Sequence, residues 1–287
     1  MNRVGIILAG GHGTRLRPVT NAISKHLIPI HDKPMIFYSL SILMLINIKE
    51  ICFVVTKNDY PQYEKLLGNG EKYGISIKYV FQNEPKGIVD GLLKCEEYIG
   101  KKRLCLILGD NIFYGSDLKK NFLKISNSNK NSIICYRVSN PQNYGVANFK
   151  NNKIQSIIEK PKKLISNFAV TGIYFYENHI FKYLKKIRPS KRNELEISDL
   201  NNILIKNKKL NYKIFGRGYA WLDAGTFDDL LETGKMISTI ESRQNLKIAC
   251  LEEIAFNNGW ISKKQIRDNL KDLKGTSYGK YLKENIL

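Results

Sequence analysis

The chain has 287 residues, of which 43% are hydrophobic, and it carries a formal net charge of +20. Such a length can bury one large core, either as a single domain or as a domain with an appendage. Its apolar runs all fall short of the ~20 residues that a membrane span needs. The N-terminus enters an apolar run directly, without the three regions of a signal peptide. These features exclude a membrane-spanning protein and predict a cytoplasmic one.

The excess positive charge is spread along the sequence as single and paired lysines. Nucleic-acid-binding proteins usually gather their cations on one arm or one helix face, beside a recognition motif. We therefore predict no nucleic-acid partner, and salt-dependent DNA binding is the test of the opposite interpretation. A field of this sign would still attract anionic substrates such as nucleoside triphosphates and sugar phosphates.

The five cysteines form no Cys-x-x-Cys pair, and Cys52, Cys105 and Cys135 lie inside apolar runs. Cysteines in such runs are typical of small buried hydrophobic positions. We therefore predict neither a disulfide framework nor a zinc site.

In chain order, the first half alternates predicted strands with predicted helices. The strands are expected over 4–8, 51–56, 75–81 and 103–109, and the helices over 34–46, 60–67 and 88–98. Strands that are apolar throughout and alternate with helices indicate a parallel sheet covered on both faces. Ligands of such sheets bind at the carboxyl ends of the strands.

From residue 131 the pattern changes to closely spaced strands. We predict a meander of strands over 132–138, 145–149 and 153–158, then strands over 167–176 and 212–215, with helices near 178–186, 196–207 and 226–240. The last forty or so residues are typical of short helices packed on the body. The sequence thus predicts an α/β fold with a Rossmann-like, mostly parallel central sheet, a small β-meander part and C-terminal helices.

The first predicted strand ends in the glycine turn Gly10-Gly11-His12-Gly13, and the cations Arg15, Arg17 and Lys25 follow. Without Cβ atoms, successive backbone N–H groups can crowd around an anion. Strand, turn and cations together describe a polyphosphate cradle. A glycine-rich surface turn with incidental charges is the alternative for the turn alone. The pattern is not a Walker A loop, because no Gly-Lys-Ser/Thr closes it, and it is not a dinucleotide fingerprint, because Leu16 occupies the place of the third glycine.

Two aspartates, Asp110 and Asp223, follow predicted strands far apart in the sequence. A carboxylate at the carboxyl end of a strand can reach a hard cation that bridges phosphates. For each aspartate the alternative is the N-cap of the next helix, although Thr226 is better placed than Asp223 to cap a helix over 226–240. The pair predicts a Mg²⁺ site.

Taken together, these segments resemble the signature of the sugar nucleotidyltransferases. Residues 8–16 match the family pattern Leu-Ala-Gly-Gly-x-Gly-Thr-Arg-Leu, and residues 25–29 match Lys-x-Leu-x-Pro. Further family motifs follow in order over essentially the whole chain, and within the family they are most similar to the branch that transfers thymidylyl groups. His12, His26 and Val89 depart from the usual pattern. We interpret both histidines as tolerated polar variation, and Val89 leaves the fit of the base open.

The resemblance implies transfer of dTMP from dTTP to α-D-glucose 1-phosphate with release of pyrophosphate, and Mg²⁺ held by Asp110 and Asp223. Gln82 would pair with the pyrimidine edge. Transfer from UTP, a different sugar 1-phosphate and a non-catalytic nucleotide sensor are the alternatives. The residues expected to bind the nucleotide are Leu8, Gly10, Gly11, Gly13, Thr14, Arg15, Gln82, Pro85, Gly87 and Asp110.

The same resemblance implies a sugar-phosphate site in the second half of the chain. Glu159 would accept hydrogen bonds from sugar hydroxyls, while Lys160 and Arg192 would meet the phosphate. The expected residues are Asn111, Tyr144, Gly145, Glu159, Lys160, Val170, Tyr174 and Arg192, and the expected catalytic residues are Arg15, Lys25, Asp110 and Lys160. For three further acidic residues we expect structural roles, as caps or on a solvated helix face: Glu194, Glu196 and Asp199.

The resemblance also implies an organisation of the chain. An α/β domain over 1–242 would comprise a nucleotide-binding part, about 1–130, and a sugar-binding part, about 131–242, followed by a helical appendage over 243–287. It further implies a homotetramer, with the product entering dTDP-rhamnose synthesis.

Overall fold

The computed structural model describes residues 3–84 and 86–287. Its strands are β1 (Arg3–Leu8), β2 (Pro29–Ile30), β3 (Lys33–Pro34), β4 (Glu50–Val55), β5 (Ser76–Phe81), β6 (Arg103–Leu108), β7 (Asn111–Gly115), β8 (Asn131–Arg137), β9 (Gly145–Lys150), β10 (Lys153–Glu159), β11 (Phe168–Tyr176), β12 (Leu210–Phe215) and β13 (Tyr219–Asp223). Nine of these strands form one central sheet, while β2 pairs with β3 and β7 with β13.

The α-helices cover the sheet on both faces. They are α1 (Ile36–Leu45), α2 (Tyr60–Leu67), α3 (Ile88–Lys94), α4 (Glu96–Ile99), α5 (Leu118–Ser126), α6 (Phe181–Leu184), α7 (Ile197–Lys206), α8 (Phe227–Gln244), α9 (Leu251–Asn257), α10 (Lys263–Asn269) and α11 (Ser277–Asn285). Successive residues of a strand face opposite sides, so Ile7 packs in the apolar cluster that contains α1. Ile6 packs in the cluster that contains residues of α3 and α7.

The order β6-β1-β4-β5 forms a parallel half of the sheet. The ladder continues past the strand ends, where Ala9 N–H donates to Val54 O at 2.8 Å, Gln82 N–H to Val55 O at 2.9 Å and Gly109 N–H to Leu8 O at 3.0 Å. The glycine turn, Gln82 and the segment before Asp110 therefore lie along one edge. This half confirms the predicted α/β fold with helices on both faces.

The other half of the sheet is mixed, and its order differs from the predicted meander. Strands β9 and β10 form a hairpin turned at Asn151 and Asn152, both with positive φ. However, β11 lies between β9 and β8, antiparallel to β6, and β12 pairs parallel to β8. The physical reason is that β11 is buried along almost its whole length, and a strand apolar on both faces belongs in the middle of a sheet.

The ladder between β7 and β13 is a feature that the sequence analysis did not predict. Its register sets Asp223 opposite Asn111. The predicted helix over 88–98 is divided at Cys95 into α3 and α4. The described segment 243–287 forms short helices as expected, and Leu251 and Leu282 pack in the cluster that contains α1. All five cysteines are buried free thiols.

Among the helices that the structure describes, none has the length and apolar character needed to cross a bilayer. The division of the chain near residues 130 and 242 stays a prediction, as the central sheet takes strands from both sides of residue 130.

Candidate active site

Two neighbouring cavities open at the carboxyl edge of the parallel strands. The first cavity is lined by the glycine turn, with Leu8, Gln82 and Gly87, and the second by residues of the mixed half of the sheet. Asp110 lines both cavities and so lies at their junction. The structure brings into the first cavity Leu8, Gly10, Gly11, Gly13, Thr14, Gln82, Gly87 and Asp110. It brings into the second Arg15, Asp110, Asn111, Tyr144, Gly145, Glu159, Lys160, Val170, Tyr174, Arg192 and Asp223.

Two predicted residues lie elsewhere. Lys25 is buried beside the junction, where its Nζ pairs with an Asp110 carboxylate oxygen. Pro85 lies outside the described residues.

The three glycines of the turn have different environments. Gly13 has φ +57°, and a Cβ there would lie 2.9 Å from both Lys25 Cβ and Thr20 Cγ2. At Gly11 a Cβ would meet nothing within 4 Å, and at Gly10 its nearest neighbour would be Gln82 Oε1 at 3.6 Å. The fold therefore requires glycine at position 13. At positions 10 and 11 it leaves space that a bound anion can use.

The ion pair between Lys25 and Asp110 fixes the charge at the junction. Burial alone would raise the pKa of Asp110, but the adjacent Lys25 ammonium holds that pKa well below its usual value. Asn111 Nδ2 donates to the other Asp110 oxygen at 2.9 Å. Asp110 is thus a fully charged carboxylate whose two oxygens have fixed directions.

Asp223 comes close to Asp110 through the unpredicted ladder. Ala224 N–H donates to Asp110 O at 3.1 Å, next to the Asp223–Asn111 pair. Burial, and then the negative charge of Asp110, raises the pKa of Asp223 to about 7. Two oxygen ligands that repel each other in this way suit a hard divalent cation. The residues present therefore fit the predicted Mg²⁺ site.

Arg15 is exposed, and it lies over the backbone that follows Asp223. A Cβ at Gly225 would be 2.7 Å from the Arg15 guanidinium. Because Gly225 has no side chain, Arg15 has room at the wall of the second cavity.

Glu159 and Arg192 form the polar side of the second cavity. Glu159 lies opposite Gly145 in the β9–β10 ladder. It accepts a hydrogen bond from Ser198 Oγ at 2.6 Å, and Arg192 approaches it at 3.5 Å. Burial raises the pKa of Glu159. Lys160, exposed at the rim with φ +42°, donates its backbone N–H to Tyr144 O at 2.9 Å.

Asn111 is held rigidly in the wall of the same cavity. Its Oδ1 accepts from Trp221 Nε1 at 2.6 Å and from Gly172 N–H at 2.9 Å. The Trp221 ring in turn packs on Tyr144 at 5.1 Å between centroids. Val170 and Tyr174 are buried at the cavity floor. Sequence reasoning missed the roles of Trp221 and Ser198, although Trp221 lies two residues before Asp223 and Ser198 six residues after Arg192.

Gln82 and residues 86–90 form the base-side segment, which is joined by internal hydrogen bonds. Gln82 is buried, and its Nε2 donates to Asp90 Oδ2 at 2.7 Å and to Gly87 O at 3.3 Å. Val89, which departs from the family pattern, is fully buried in the apolar cluster with Leu92. Its extra volume therefore packs into the core.

The two histidines that depart from the family pattern, and two of the acidic residues expected to be structural, have different environments. Burial lowers the pKa of His26 to about 4, which keeps that ring neutral at physiological pH. His12 is exposed in the first cavity. Glu196 accepts a hydrogen bond from Ser190 Oγ at 2.8 Å and lines the second cavity. Glu194 lines both cavities.

Known proteins resemble this chain over almost its whole length. A family model described as nucleotidyl transferase matches residues 4–239. A glucose-1-phosphate thymidylyltransferase from Neisseria meningitidis is 44% identical over 280 residues, which cover 97% of each chain. One from Mycobacterium tuberculosis is 41% identical over 281 residues, 98% of each chain.

Solved structures give the same result. A Bacillus anthracis protein assigned as a glucose-1-phosphate thymidylyltransferase and solved with sucrose matches with TM-score 0.76 and 38% identity, over 82% of this chain and 94% of that one. A UDP-glucose pyrophosphorylase solved with UDP-glucose matches with TM-score 0.74 and 25% identity, over 83% and 99%.

Proposed function

Because the chain belongs to the nucleotidyl transferase family, we propose that it transfers dTMP from dTTP to α-D-glucose 1-phosphate and releases pyrophosphate. The observation that carries this proposal is the meeting of two unlike cavities at Asp110. One offers the glycine turn, whose backbone N–H groups can bind a triphosphate, and Lys25 is buried beside it. The other offers an amide, a carboxylate and aromatic rings, which are groups that bind sugars. A reaction between a nucleotide and a sugar phosphate needs both.

The chemistry needs positioning more than proton transfer. A phosphate oxygen of glucose 1-phosphate attacks the α-phosphorus of dTTP, and the bond to the bridging oxygen breaks as pyrophosphate leaves. The nucleophile is already an anion, so no general base is required. In-line orientation and neutralisation of charge then supply the rate enhancement.

Cationic side chains bind the phosphate groups of both substrates. The glycine turn, Arg15 and Lys25 hold the triphosphate and the leaving pyrophosphate. Lys160 and Arg192 orient the sugar phosphate, whose sugar contacts Asn111 and Glu159. Gln82 reads the base from the far side of the first cavity.

Asp110 and Asp223 would hold Mg²⁺ at the junction. When bound there, Mg²⁺ stabilises negative charge on the phosphate groups. Burial, and then the negative charge of Asp110, raises the pKa of Asp223. A cation held by both carboxylates would stabilise their charged forms, which is the structural support for this assignment. Retention of Lys25, Asp110 and Asp223 also argues against a non-catalytic nucleotide sensor.

The test is pyrophosphate release in the presence of Mg²⁺ and α-D-glucose 1-phosphate, with dTTP, UTP, CTP, ATP and GTP compared side by side. We expect the fastest release with dTTP. A preference for UTP would keep the mechanism and change the nucleotide. No release with any of the five would overturn the proposal for this sugar phosphate and favour a nucleotide sensor. A homotetramer, a cytoplasmic location and a role in dTDP-rhamnose synthesis stay predictions.

A further inference from the structure

The base-side segment and the Arg192 loop are joined by a short backbone ladder. Leu195 N–H donates to Lys86 O at 2.9 Å, and Val89 N–H donates to Leu195 O at 3.3 Å. Between these bonds lies Gly87, with φ +99°, where a Cβ would be 2.5 Å from Leu195 O and 2.8 Å from Leu195 N. Gly87 must therefore be glycine because of Leu195, whether or not a base is bound.

The loop that carries Leu195 is braced internally. Ser190 N–H donates to Glu194 O at 2.9 Å, and Asn193 N–H donates to Ser190 O at 2.9 Å. The Ser190 hydroxyl also binds Glu196 at 2.8 Å. A turn closed by these bonds moves as one unit, so a shift of Leu195 carries Arg192 with it.

Arg192 is sensitive to such a shift because carboxylates surround it. Its guanidinium lies 2.9 Å from Glu194, 3.4 Å from Glu196 and 3.5 Å from Glu159. A sugar phosphate must compete with these groups for the same cation. Small changes in the position of Arg192 therefore change how well a phosphate can replace them.

The other end of the ladder reaches the base pocket. The Gln82 amide donates to Gly87 O and to Asp90 in the same segment. A base that hydrogen-bonds to Gln82 competes with these two bonds and so acts on the backbone that holds Leu195.

We propose that the contact of Gly87 and its neighbours with Leu195 couples the two substrate sites. Nucleotide bound at Gln82 sets the position of the 190–196 turn, and Arg192 in that turn then binds the sugar phosphate more tightly. Gly87 and Leu195 are thus positioning residues for glucose 1-phosphate. This inference rests on the proposed function, since it takes the two cavities to be the nucleotide and sugar-phosphate sites.

Calorimetry tests the coupling directly. The dissociation constant of glucose 1-phosphate is measured with Mg²⁺, alone and with a saturating dTTP analogue that has a methylene bridge between the α- and β-phosphorus. We expect the analogue to tighten binding about tenfold. In Gly87→Ala we expect this factor to fall close to one. The matched control is Gly218→Ala, with φ +89° and no neighbour within 4 Å of a Cβ, which should keep the full factor.

Hydrogen exchange of the peptide over 190–196 gives a second readout that does not depend on sugar-phosphate affinity. The nucleotide analogue alone should slow exchange there in the unaltered protein and in Gly218→Ala, and not in Gly87→Ala. A coupling factor near one in the unaltered protein, or an unchanged factor in Gly87→Ala, would overturn the inference. Turnover of dTTP and glucose 1-phosphate by the unaltered protein tests the proposed function separately.

Discussion

The two cavities are formed by different parts of the same sheet. The first is made where parallel strands end, and its wall is the glycine turn with Leu8, Gln82 and Asp110, while Lys25 is buried beside it. The second lies over antiparallel strands and is lined mainly by side chains, such as Asn111, Glu159 and Tyr174. The difference matches the two substrates that we propose. A triphosphate is recognised by its charge and shape, whereas a sugar is recognised by hydroxyl groups that need individually placed partners.

Removal of a junction carboxylate should have the largest effect, because Asp110 lines both cavities and Asp223 lies beside it in the second. We expect Asp110→Ala or Asp223→Ala to lower kcat by about a thousandfold, the scale of a lost electrostatic stabilisation of the transition state. Steady-state pyrophosphate release measures this, with a melting curve as the control for folding. Near-full activity in saturating Mg²⁺ would contradict the metal assignment.

Substitution of Glu159 should weaken the binding of glucose 1-phosphate and leave the binding of dTTP almost unchanged. Loss of a charged hydrogen-bond partner costs ~2 kcal/mol, so Glu159→Ala should raise KM for glucose 1-phosphate about thirtyfold. KM for dTTP should stay within about twofold, since Glu159 lies in the second cavity only. Kinetics with each substrate varied in turn make the measurement. An equal rise in both constants would show that the cavities do not have the separate roles proposed here.

Two glycine substitutions should distinguish folding from ligand binding within the first cavity. Gly13→Ala places a methyl group against Lys25 and Thr20 at a positive φ, so it should destabilise the fold by ~1–3 kcal/mol. Gly11→Ala has open space and should leave the melting temperature unchanged, while it raises KM for dTTP by about tenfold. Thermal unfolding and dTTP kinetics on both variants test this. A Gly11→Ala protein with normal dTTP kinetics would argue against phosphate binding at that position.

Val89→Ala should have the smallest effect. The side chain is buried in the core rather than exposed to the base, so its truncation should cost ~1–2 kcal/mol of stability. The preference among dTTP, UTP and the other nucleotides should not change. Denaturant unfolding and the nucleotide panel measure the two expectations. A switch in preference toward UTP would place Val89 in base selection.

The sequence allowed much of the first cavity to be predicted, and less of the second. Leu8 ends strand β1, Gln82 follows β5 and Asp110 comes two residues after β6 in the parallel half of the sheet, and the ends of such strands share an edge. Three predicted strands and the residues at their carboxyl ends were therefore enough to bring these side chains together.

The second cavity depends on contacts that periodicity does not encode. The pairing of β7 with β13 brings Asp223 to Asp110, and the insertion of β11 between β8 and β9 shapes the floor. Neither pairing can be predicted from the hydrophobic pattern, because the pattern of a short strand is the same whichever strand it pairs with. Motif resemblance supplied the residues Glu159, Lys160 and Arg192, but the ladder between Lys86 and Leu195 became visible only in the structure.

Helix α1 has a consequence for the order in which the protein can be made. Every residue from Ile36 to Met44 is buried, and part of the cover comes from α9, with Asn258 donating to Met44 O at 2.9 Å. A ribosome makes α1 long before α9, because the two helices are far apart in the sequence. The newly made chain therefore carries an apolar helix with one side open until α9 has been made, and exposed surface of this kind is prone to aggregation. The final packing of α1 consequently waits for a segment far along the chain.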